Sequence, residues 1–361
     1  MSVSEGPDLL IVGGGPAGLA TAIEARFAGL DVVVVDRRNP PVDVACGEGL
    51  MPGGVTRLGH LGIDLDRLGC HPFHGVRYID SNVVAEGRFG RGSGLGIRRS
   101  TLHTELHRRA AELGVDLRWG LAVRGLRGNE VETDGGPLRG RWLVAADGRM
   151  SQLREWAGIA ASSPARKRYG VRRHYAVAPW SDLVEVHWAD DAEAYVTPVG
   201  SEMVGVAVLS GTRPLSFERV VGRLTTLAHR LEGAEVVSRD RGAGPFGQRP
   251  AAVVRDRLAL VGDASGCLDP ITGEGLSVAF GQARALVRAV ERGSLDAYAA
   301  AHRRLVRLPG LLTGLLLMAE RRPPVRRRMI RLLAASPRLF SLLVDRIASA
   351  GAESGPVARP R

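Results

Sequence analysis

The fold of this chain is decided by Asp8-Leu9-Leu10-Ile11-Val12-Gly13-Gly14-Gly15-Pro16-Ala17-Gly18. The apolar residues predict a buried strand, which runs into a glycine-rich turn and then into a mostly apolar helix. A second strand, Asp31 to Val35, ends at Asp36 and Arg37. This order of elements predicts a βαβ unit in a parallel, Rossmann-like sheet of an α/β protein.

The three spaced glycines of the turn have separate mechanical roles. Gly13 permits the tight turn, Gly15 lets the backbone approach a pyrophosphate, and Gly18 lets the helix pack close to the strand. The helix that begins at Pro16 and Ala17 directs its N-terminus towards the anion. The glycine spacing and its context together predict a dinucleotide-binding site.

Asp36 extends this prediction to the sugar of the dinucleotide. It follows Gly13 by about 20 residues, the spacing that places a carboxylate beside an adenosine ribose. A carboxylate there accepts hydrogen bonds from the ribose hydroxyls and repels a 2′-phosphate. We therefore expect a dinucleotide whose adenosine ribose is not phosphorylated.

The composition indicates a basic protein of one large domain or two intertwined domains. The 361 residues suffice for a sizeable core. The net charge of +11 comes from arginines dispersed along the chain, and Lys167 is the only lysine. The basic stretches 166–168 and 326–328 lack the interleaved aromatic residues of a single-strand platform. We expect no nucleic-acid partner.

The cysteines and the N-terminus bear on cellular location. Cys46, Cys70 and Cys267 are too few for a disulfide framework, and their spacing is not that of a metal site. Residues 1–7 lack the basic and apolar segments of a secretory signal. The sequence predicts a reduced, cytoplasmic protein without a bound metal.

Later segments repeat the arrangement of the first one. Two apolar strands, within 142–148 and 257–263, end at an aspartate next to a glycine, and residues 269–276 form a second glycine-rich helix start. Polar residues at the carboxyl edge of a parallel sheet lie where such folds bind ligands. Between about residues 166 and 215, short alternating strands separated by turns predict an antiparallel sheet.

This combination resembles the FAD-dependent oxidoreductases of the para-hydroxybenzoate hydroxylase fold, in the branch of geranylgeranyl reductases and single-component flavin monooxygenases. The likeness covers about residues 8 to 300. It rests on three motifs: Gly13–Gly18 with Asp36-Arg37; Ala146-Asp147-Gly148; and Gly262-Asp263-Ala264 followed by Asp269-Pro270 and Gly273–Leu276.

The resemblance implies a Rossmann-like FAD-binding domain, a parallel sheet with helices, that carries an inserted antiparallel β-sheet substrate domain and a C-terminal helical cap. The FAD-binding domain would comprise residues 1–75, 96–165 and 250–300. The substrate domain would comprise 76–95 and 166–249, and the C-terminal helices and tail 301–361.

The resemblance also implies which residues hold FAD. Cofactor-binding roles fall to Gly13, Gly15, Pro16, Ala17, Gly18, Asp36, Arg37, Arg99, Asp147, Asp263, Gly273, Gly275 and Leu276. Asp263 would hold the ribityl or pyrophosphate portion, and residues 273–276 would offer backbone N–H groups to the N1 and O2 edge of the isoalloxazine. Two alternatives stay open: Asp263 as a helix N-cap, and Asp147 as a structural turn residue.

Catalytic residues beyond the flavin are not assigned by the sequence, but candidates exist. Cys46 and Glu48 lie in a cysteine-glycine stretch that resembles one beside the flavin in the reductase branch. Cys46 could tune the cofactor or only pack, and Glu48 could exchange protons. His174, Tyr195 and Thr197 are candidate lining residues of the substrate pocket, although a lone histidine in a sheet is more often structural.

Two reactions remain open, with NADH or NADPH as the transient reductant. We favour hydroxylation of an aromatic or polyketide-like molecule over reduction of a double bond in an apolar one. Halogenases need a substrate-side lysine and a Trp-x-Trp-x-Ile-Pro segment, which this chain lacks. Geranylgeranyl reductases usually carry Tyr-x-Trp-x-Phe-Pro where this chain has Tyr195-Val196-Thr197-Pro198.

The region from about Tyr298 predicts leucine-rich helices interrupted at Pro309-Gly310. Their apolar runs are shorter than the roughly 20 residues that span a bilayer. Neighbouring arginines could rest on anionic lipid, giving a peripheral membrane contact, but a helical cap over the flavin domain is the plainer interpretation. The tail from Ala352 is expected to fray.

Overall fold

The computed structural model describes residues 6–349, so the expected fraying of the tail lies outside the described residues. The strands are β1 Leu9–Val12, β2 Val32–Asp36, β3 Gly49–Leu50, β4 His71–Phe73, β5 Gly75–Asp80, β6 Val83–Arg88, β7 Gly94–Gly96, β8 Asp116–Trp119, β9 Val123–Arg127, β10 Glu130–Thr133, β11 Gly136–Arg139, β12 Trp142–Ala145, β13 Ala161–Ser162, β14 Tyr169–Ala176, β15 Val184–Trp188, β16 Ala192–Gly200, β17 Met203–Ser210, β18 Glu235–Val236, β19 Arg241–Ala243, β20 Arg249–Pro250, β21 Val254–Arg255 and β22 Leu258–Leu260.

The helices connect and cover these strands. They are α1 Pro16–Phe27, α2 Pro52–His60, α3 Arg99–Glu112, α4 Gln152–Trp156, α5 Phe217–Gly222, α6 Thr225–Leu231, α7 Gly275–Glu291, α8 Asp296–Glu320, α9 Pro323–Ala335 and α10 Pro337–Ser349, with short 3-10 turns at Leu65–Leu68, Gly262–Ser265 and Pro270–Thr272.

The first sheet has the order β21-β22-β12-β1-β2-β8, and all of its pairs are parallel except β21 with β22. Every residue of β1 and β2 is buried, as expected for strands covered on two faces. Leu9 and Ile11 pack towards α1, α3 and α7, whereas Leu10 and Val12 pack towards the small sheet of β9–β11. The predicted Rossmann-like sheet is confirmed.

The second sheet is the antiparallel one, with the order β18-β14-β17-β16-β15-β5-β6 and with β19 beside β14. Its only parallel pair among the described strands is β15 with β5. Helices α5 and α6 cover one face through Phe217 and Leu227. The α/β fold with an added antiparallel sheet is confirmed, and the residue boundaries of the two domains stay a prediction.

The predicted interruption at Pro309-Gly310 is wrong, because α8 runs unbroken through Pro309. A proline removes one backbone hydrogen bond, but packing of both halves of this 25-residue helix holds it together. The Tyr298 hydroxyl donates to the Leu260 carbonyl at 2.5 Å, and His302 Nε2 lies 3.0 Å from Ser265 Oγ. Helix α8 is therefore anchored at the end of β22.

The C-terminal helices pack on both the parallel-sheet part and the antiparallel sheet. Helix α8 packs on α7, whereas α9 and α10 pack on the β5–β6 hairpin of the antiparallel sheet. Ile330, Leu333, Phe340 and Val344 form the apolar contact there. Among residues 6–349, no helix is long and apolar enough to cross a membrane.

Candidate functional site

The glycines of the first turn differ in what surrounds them. Gly13 has φ +112°, and a Cβ there would lie 2.3 Å from the Ala146 carbonyl oxygen. A Cβ on Gly18 would lie 1.9 Å from the Gly13 oxygen. A Cβ on Gly15 would meet nothing within 4 Å. Gly13 and Gly18 are therefore required by the fold, while Gly15 faces open space.

Asp36 is 6% exposed and binds the first turn directly. Its Oδ2 accepts the Gly14 N–H at 2.9 Å, and its Oδ1 accepts the Arg38 N–H at 2.9 Å. The Arg38 guanidinium also reaches Asp36, with Nε 3.4 Å from Oδ1. Arg37, predicted beside the cofactor, is exposed, and its role stays a prediction.

Two aromatic rings beside this turn were not predicted. His103 Nε2 lies 2.9 Å from the Gly14 carbonyl oxygen. Burial lowers the pKa of His103 to about 4, so the ring is neutral near pH 7 and donates from Nε2. A Cβ on Gly14 would meet the Trp119 ring at 2.3 Å. Trp119 pairs with Asp36 in the parallel sheet, and this register brings its ring to the turn. The sequence did not predict the contact, because the register depends on the tertiary structure.

At the loop before β3, the structure brings Glu48 and His174 together. Glu48 has φ +60° and is 3% exposed. His174 Nε2 lies 2.5 Å from Glu48 Oε2, and the other oxygen accepts the Arg99 N–H at 2.8 Å. Arg172 Nη1 lies 3.0 Å from His174 Nδ1. Because arginine only donates, His174 carries its proton on Nε2 and donates it to Glu48.

This pair belongs to a longer network that extends to the surface at Arg241. Arg172 also binds Asp43, and Asp43 accepts from Arg241 Nε at 3.1 Å. Ser238 Oγ lies 2.9 Å from His174 Nδ1. The loop before β3 is thus fixed to β14 of the antiparallel sheet through charged side chains.

Tyr195 and Thr197 of β16 bond to two different loops, the one before β3 and the one before α7. The Thr197 hydroxyl donates to the Gly47 carbonyl at 2.8 Å, and the Tyr195 hydroxyl donates to the Ile271 carbonyl at 3.1 Å. Burial raises the pKa of Tyr195 well above its usual value, so its hydroxyl keeps the proton. The two side chains position loops, and lining of a substrate pocket by them stays a prediction.

Cys46 is held close to Glu48. Its Sγ accepts the Glu48 N–H at 3.4 Å. Burial raises the pKa of the Cys46 thiol, so the sulfur is a neutral thiol near pH 7. A neutral thiol is a poor nucleophile, which fits a packing or tuning role better than a covalent one.

The second glycine turn is anchored by buried ion pairs. Asp269 accepts the Ile271 N–H at 3.3 Å and binds Arg168 Nη1 at 2.7 Å. Arg168 also binds Glu193, whose pKa burial raises to about 7. Gly273 follows with φ +71°. Arg168 was not predicted, because no local pattern marks the partner of a distant carboxylate.

The predicted aspartates have different surroundings. Asp263 lies in the 3-10 turn Gly262–Ser265, where part of its surface is exposed, and it does not cap a helix. Desolvation by the protein atoms around its carboxyl group raises its pKa. Asp147 Oδ2 accepts the Leu153 N–H at 3.2 Å, which supports the structural alternative for this residue. Its Oδ1 is buried without a partner in the described residues.

The residues present fit FAD. Cβ positions on Gly15, Gly47, Gly148 and Gly275 would meet nothing within 4 Å, so backbone in four of the predicted segments borders open space. Several buried polar atoms at these segments lack a partner within residues 6–349: Arg99 Nε, Arg149 Nε, Asp147 Oδ1, Glu274 Oε2 and Ser277 Oγ. Arginine donors and helix N-termini suit a pyrophosphate, and the carboxyl and hydroxyl groups suit a polar ring edge.

Curated relatives share most of the chain. The menaquinone reductase of Mycobacterium tuberculosis is 30% identical over 305 residues, which span 76% of this chain and 74% of the relative. A digeranylgeranylglycerophospholipid reductase of Methanothermobacter thermautotrophicus is 26% identical, covering 74% and 73%. The rifampicin monooxygenase of Rhodococcus hoagii is 27% identical, covering 75% and 61%.

A solved structure and a family model complete the comparison. The p-nitrophenol 4-monooxygenase of Pseudomonas putida superposes with a TM-score of 0.80 at 19% identity, covering 96% of this chain and 98% of that one, and so shares the fold. The FAD binding domain family model matches residues 7–297. The chain therefore belongs to the FAD binding domain family and is an FAD-dependent oxidoreductase of the para-hydroxybenzoate hydroxylase fold.

Proposed function

We propose that this protein uses NADH or NADPH and FAD to saturate a carbon–carbon double bond in an apolar, lipid-like substrate. The observation that carries the proposal is the surface of the C-terminal helices, which is apolar and basic at once. The reductases among the relatives support it, since their names specify isoprenoid lipid or quinone substrates. These relatives give reduction more weight than the sequence alone gave it.

The apolar part of this surface consists of leucine stripes. Leu311, Leu315 and Met318 follow one another at helical spacing on α8 and are 62%, 53% and 52% exposed. Leu332 on α9 and Leu342 on α10 are also exposed. Exposed apolar stripes of this size mark a surface that contacts apolar material.

The basic part comes from arginine. Residues 301–349 contain 11 arginines and 2 acidic residues, Glu320 and Asp345, so their formal net charge is 11 − 2 = +9. Charge of this sign complements anionic lipid headgroups. We propose that the C-terminal helices rest on an anionic membrane surface from which the substrate is drawn.

The chain's own residues would hold the cofactor and orient the reaction. Gly15, Asp36, Arg99 and Asp263 would hold FAD, with residues 273–276 against the ring. When bound, FAD supplies hydride transfer. The loop that carries Cys46 is held in place by the Glu48–His174 pair, and this rigidity would exclude water and fix the substrate.

Hydroxylation is the second candidate. It is supported by the rifampicin monooxygenase, which matches at an identity similar to that of the archaeal reductase. The same pocket residues would then orient an aromatic or polyketide-like substrate. The sequence-based preference for hydroxylation stays compatible with the family.

Product analysis separates the two candidates. The FAD-loaded protein would be incubated with NADH or NADPH and a polyprenyl quinone in vesicles, without oxygen, and in parallel with phenols under air. After the quinone ring has been reoxidised, a product whose polyprenyl chain keeps two added hydrogen atoms supports reduction of the double bond. A phenol product that has gained an oxygen atom supports hydroxylation. The G15V variant should fold but retain no flavin, because its side chain would occupy the open space; full flavin content would contradict the site.

Membrane binding has its own test. Wild type should float with vesicles that contain anionic lipid and remain in solution with neutral vesicles or at high salt. A variant with Leu311→Gln and Leu315→Gln should float at least about tenfold less, since it loses buried apolar area. If wild type floats equally well with anionic and with neutral vesicles, the proposed membrane-binding surface is contradicted.

A further inference from the structure

Glu274 stands at the start of α7 but does not cap it. It is the N-cap residue of this 17-residue helix, yet its side chain accepts no hydrogen bond from the first turn. The residue is 3% exposed, and Oε2 is buried without a partner in the described chain. The carboxyl group therefore does not take the capping role that this position offers.

The other buried glutamates show what is unusual about this one. Each of those in residues 6–349 pairs with an arginine or a histidine: Glu48, Glu185, Glu193 and Glu320. Burial without such a partner disfavours the ionised form. Burial raises the pKa of Glu274 to about 8, so the group is a neutral acid near pH 7.

The charged groups on neighbouring elements are engaged elsewhere. Arg57 on α2 donates to the Ser277 carbonyl at 3.1 Å, and Asp269 before the turn binds Arg168. Asp263, in the 3-10 turn packed on α7, has its own arginine neighbours. None of these groups shifts the pKa of Glu274, which burial alone raises.

Glu274 lies in the turn that is expected to meet the flavin ring. It lies between Gly273 and Gly275, and a Cβ on Gly275 would meet nothing within 4 Å. Ser277 Oγ, one turn further along, is also buried without a partner among the described residues. Two unused polar groups thus border the turn that is expected to meet the flavin ring.

We propose that Glu274 is the proton donor for saturation of the substrate double bond, an inference that rests on the proposed function. Saturation adds one hydride and one proton to the two carbons. The hydride is the reduced cofactor's contribution. The Glu274 O–H bond breaks as the new C–H bond forms, and the carboxylate that remains takes a proton from solvent. An acid with a pKa near the working pH suits this exchange.

The test combines a spectrum with a rate. Infrared spectra of FAD-loaded protein with ¹³C-labelled glutamate should show an acid C=O band that disappears with a midpoint near pH 8. Glu193, whose pKa lies near 7, contributes a second acid band. The component with its midpoint near pH 8 should be absent in E274Q, which keeps the Glu193 component, and present in E291Q, which removes an exposed glutamate from the far end of α7. Flavin content should be equal in all three proteins.

The rate of double-bond saturation should depend on pH in the same way as the acid band of Glu274. E274Q should saturate the polyprenyl substrate at least about 100-fold more slowly than wild type and lose the fall in rate above pH 8. A wild-type spectrum at pH 6 that matches the E274Q spectrum, or a wild-type rate in E274Q, would overturn the inference while the proposed function stands. If wild type with full FAD saturates no polyprenyl substrate, the proposed function fails and the donor role with it, even where the band is present.

Discussion

The two glycine turns of this protein are built in different ways. The first turn, residues 13–18 with Asp36, arises from one continuous βαβ segment, and its buried carboxylate is satisfied mainly by the N–H groups of Gly14 and Arg38. The second turn, residues 269–277, depends on distant side chains, above all Arg168, which precedes β14, and Tyr195 of β16. A local segment can be self-sufficient, whereas a site at a junction needs distant partners.

The turns also differ in the protonation of the buried groups beside them. Burial lowers the pKa of His103 at the first turn and raises that of Glu274 at the second. Both groups are therefore neutral near pH 7. Protonation of His103 in acid should therefore destabilise the first turn, and ionisation of Glu274 in alkali should destabilise the second turn.

The largest expected effect comes from breaking the backbone contact of the first turn. In Gly18→Val, the new side chain meets the Gly13 oxygen, where a Cβ already lies at 1.9 Å, so the strand and helix must separate. We expect a loss of more than about 3 kcal/mol in the free energy of unfolding, and little bound FAD. Urea unfolding followed by circular dichroism measures it. Gly59→Ala, where a Cβ meets nothing within 4 Å, is the control and should remain stable.

The second turn should be destabilised by the loss of a buried ion pair, whereas the first turn is destabilised by a clash with the backbone. Arg168→Met leaves Glu193 and Asp269 buried without their cation. The free energy of unfolding should fall by about 3–5 kcal/mol, and addition of Glu193→Gln should restore part of it. Arg108→Met, which removes a surface arginine that bonds Glu105 and Glu112, should cause no measurable change. Equal effects of the two arginine variants would show that the buried cluster does not hold the second turn.

A smaller effect should appear as alkali sensitivity at Glu274. The folded protein keeps this proton to about pH 8, while an unfolded chain releases it near the ordinary value of 4.5. The folded state thus binds more protons between these values, and its stability falls as the pH rises. Relative to wild type, Glu274→Gln should gain about 2–4 kcal/mol between pH 5 and pH 8. A difference that stays constant with pH in urea titrations would contradict the raised pKa.

The smallest effect should be acid sensitivity at His103, with the opposite sign. The unfolded chain takes up a proton at His103 near pH 6.5, while the folded protein resists it to about pH 4. This contribution is present above pH 6.5 and is lost as the pH falls towards 4. His103→Gln should reduce the loss of stability between pH 6 and pH 4 by about 1–2 kcal/mol. If urea titrations show the same loss of stability in acid for wild type and His103→Gln, the lowered pKa of His103 is disproved.

The sequence by itself determined the fold class, the family and the need for FAD. Hydrophobic runs and glycines at fixed offsets act over a few neighbouring residues, so the strand before Gly13 and the helix after Gly18 could be recognised without coordinates. The antiparallel strands were recognised for the same reason. Local patterning also misled at Pro309, where packing outweighs the lost hydrogen bond.

Only the tertiary structure decided which side chains meet. Glu48 and His174 were separate candidates 126 residues apart, and the structure places them 2.5 Å from each other. Arg168 and Glu274 stood in stretches that the sequence singled out, but neither they nor His103 received a role of their own, because their importance lies in burial and in the presence or absence of a partner. Burial and pairing depend on which distant segments pack together, and no local pattern of residues encodes that.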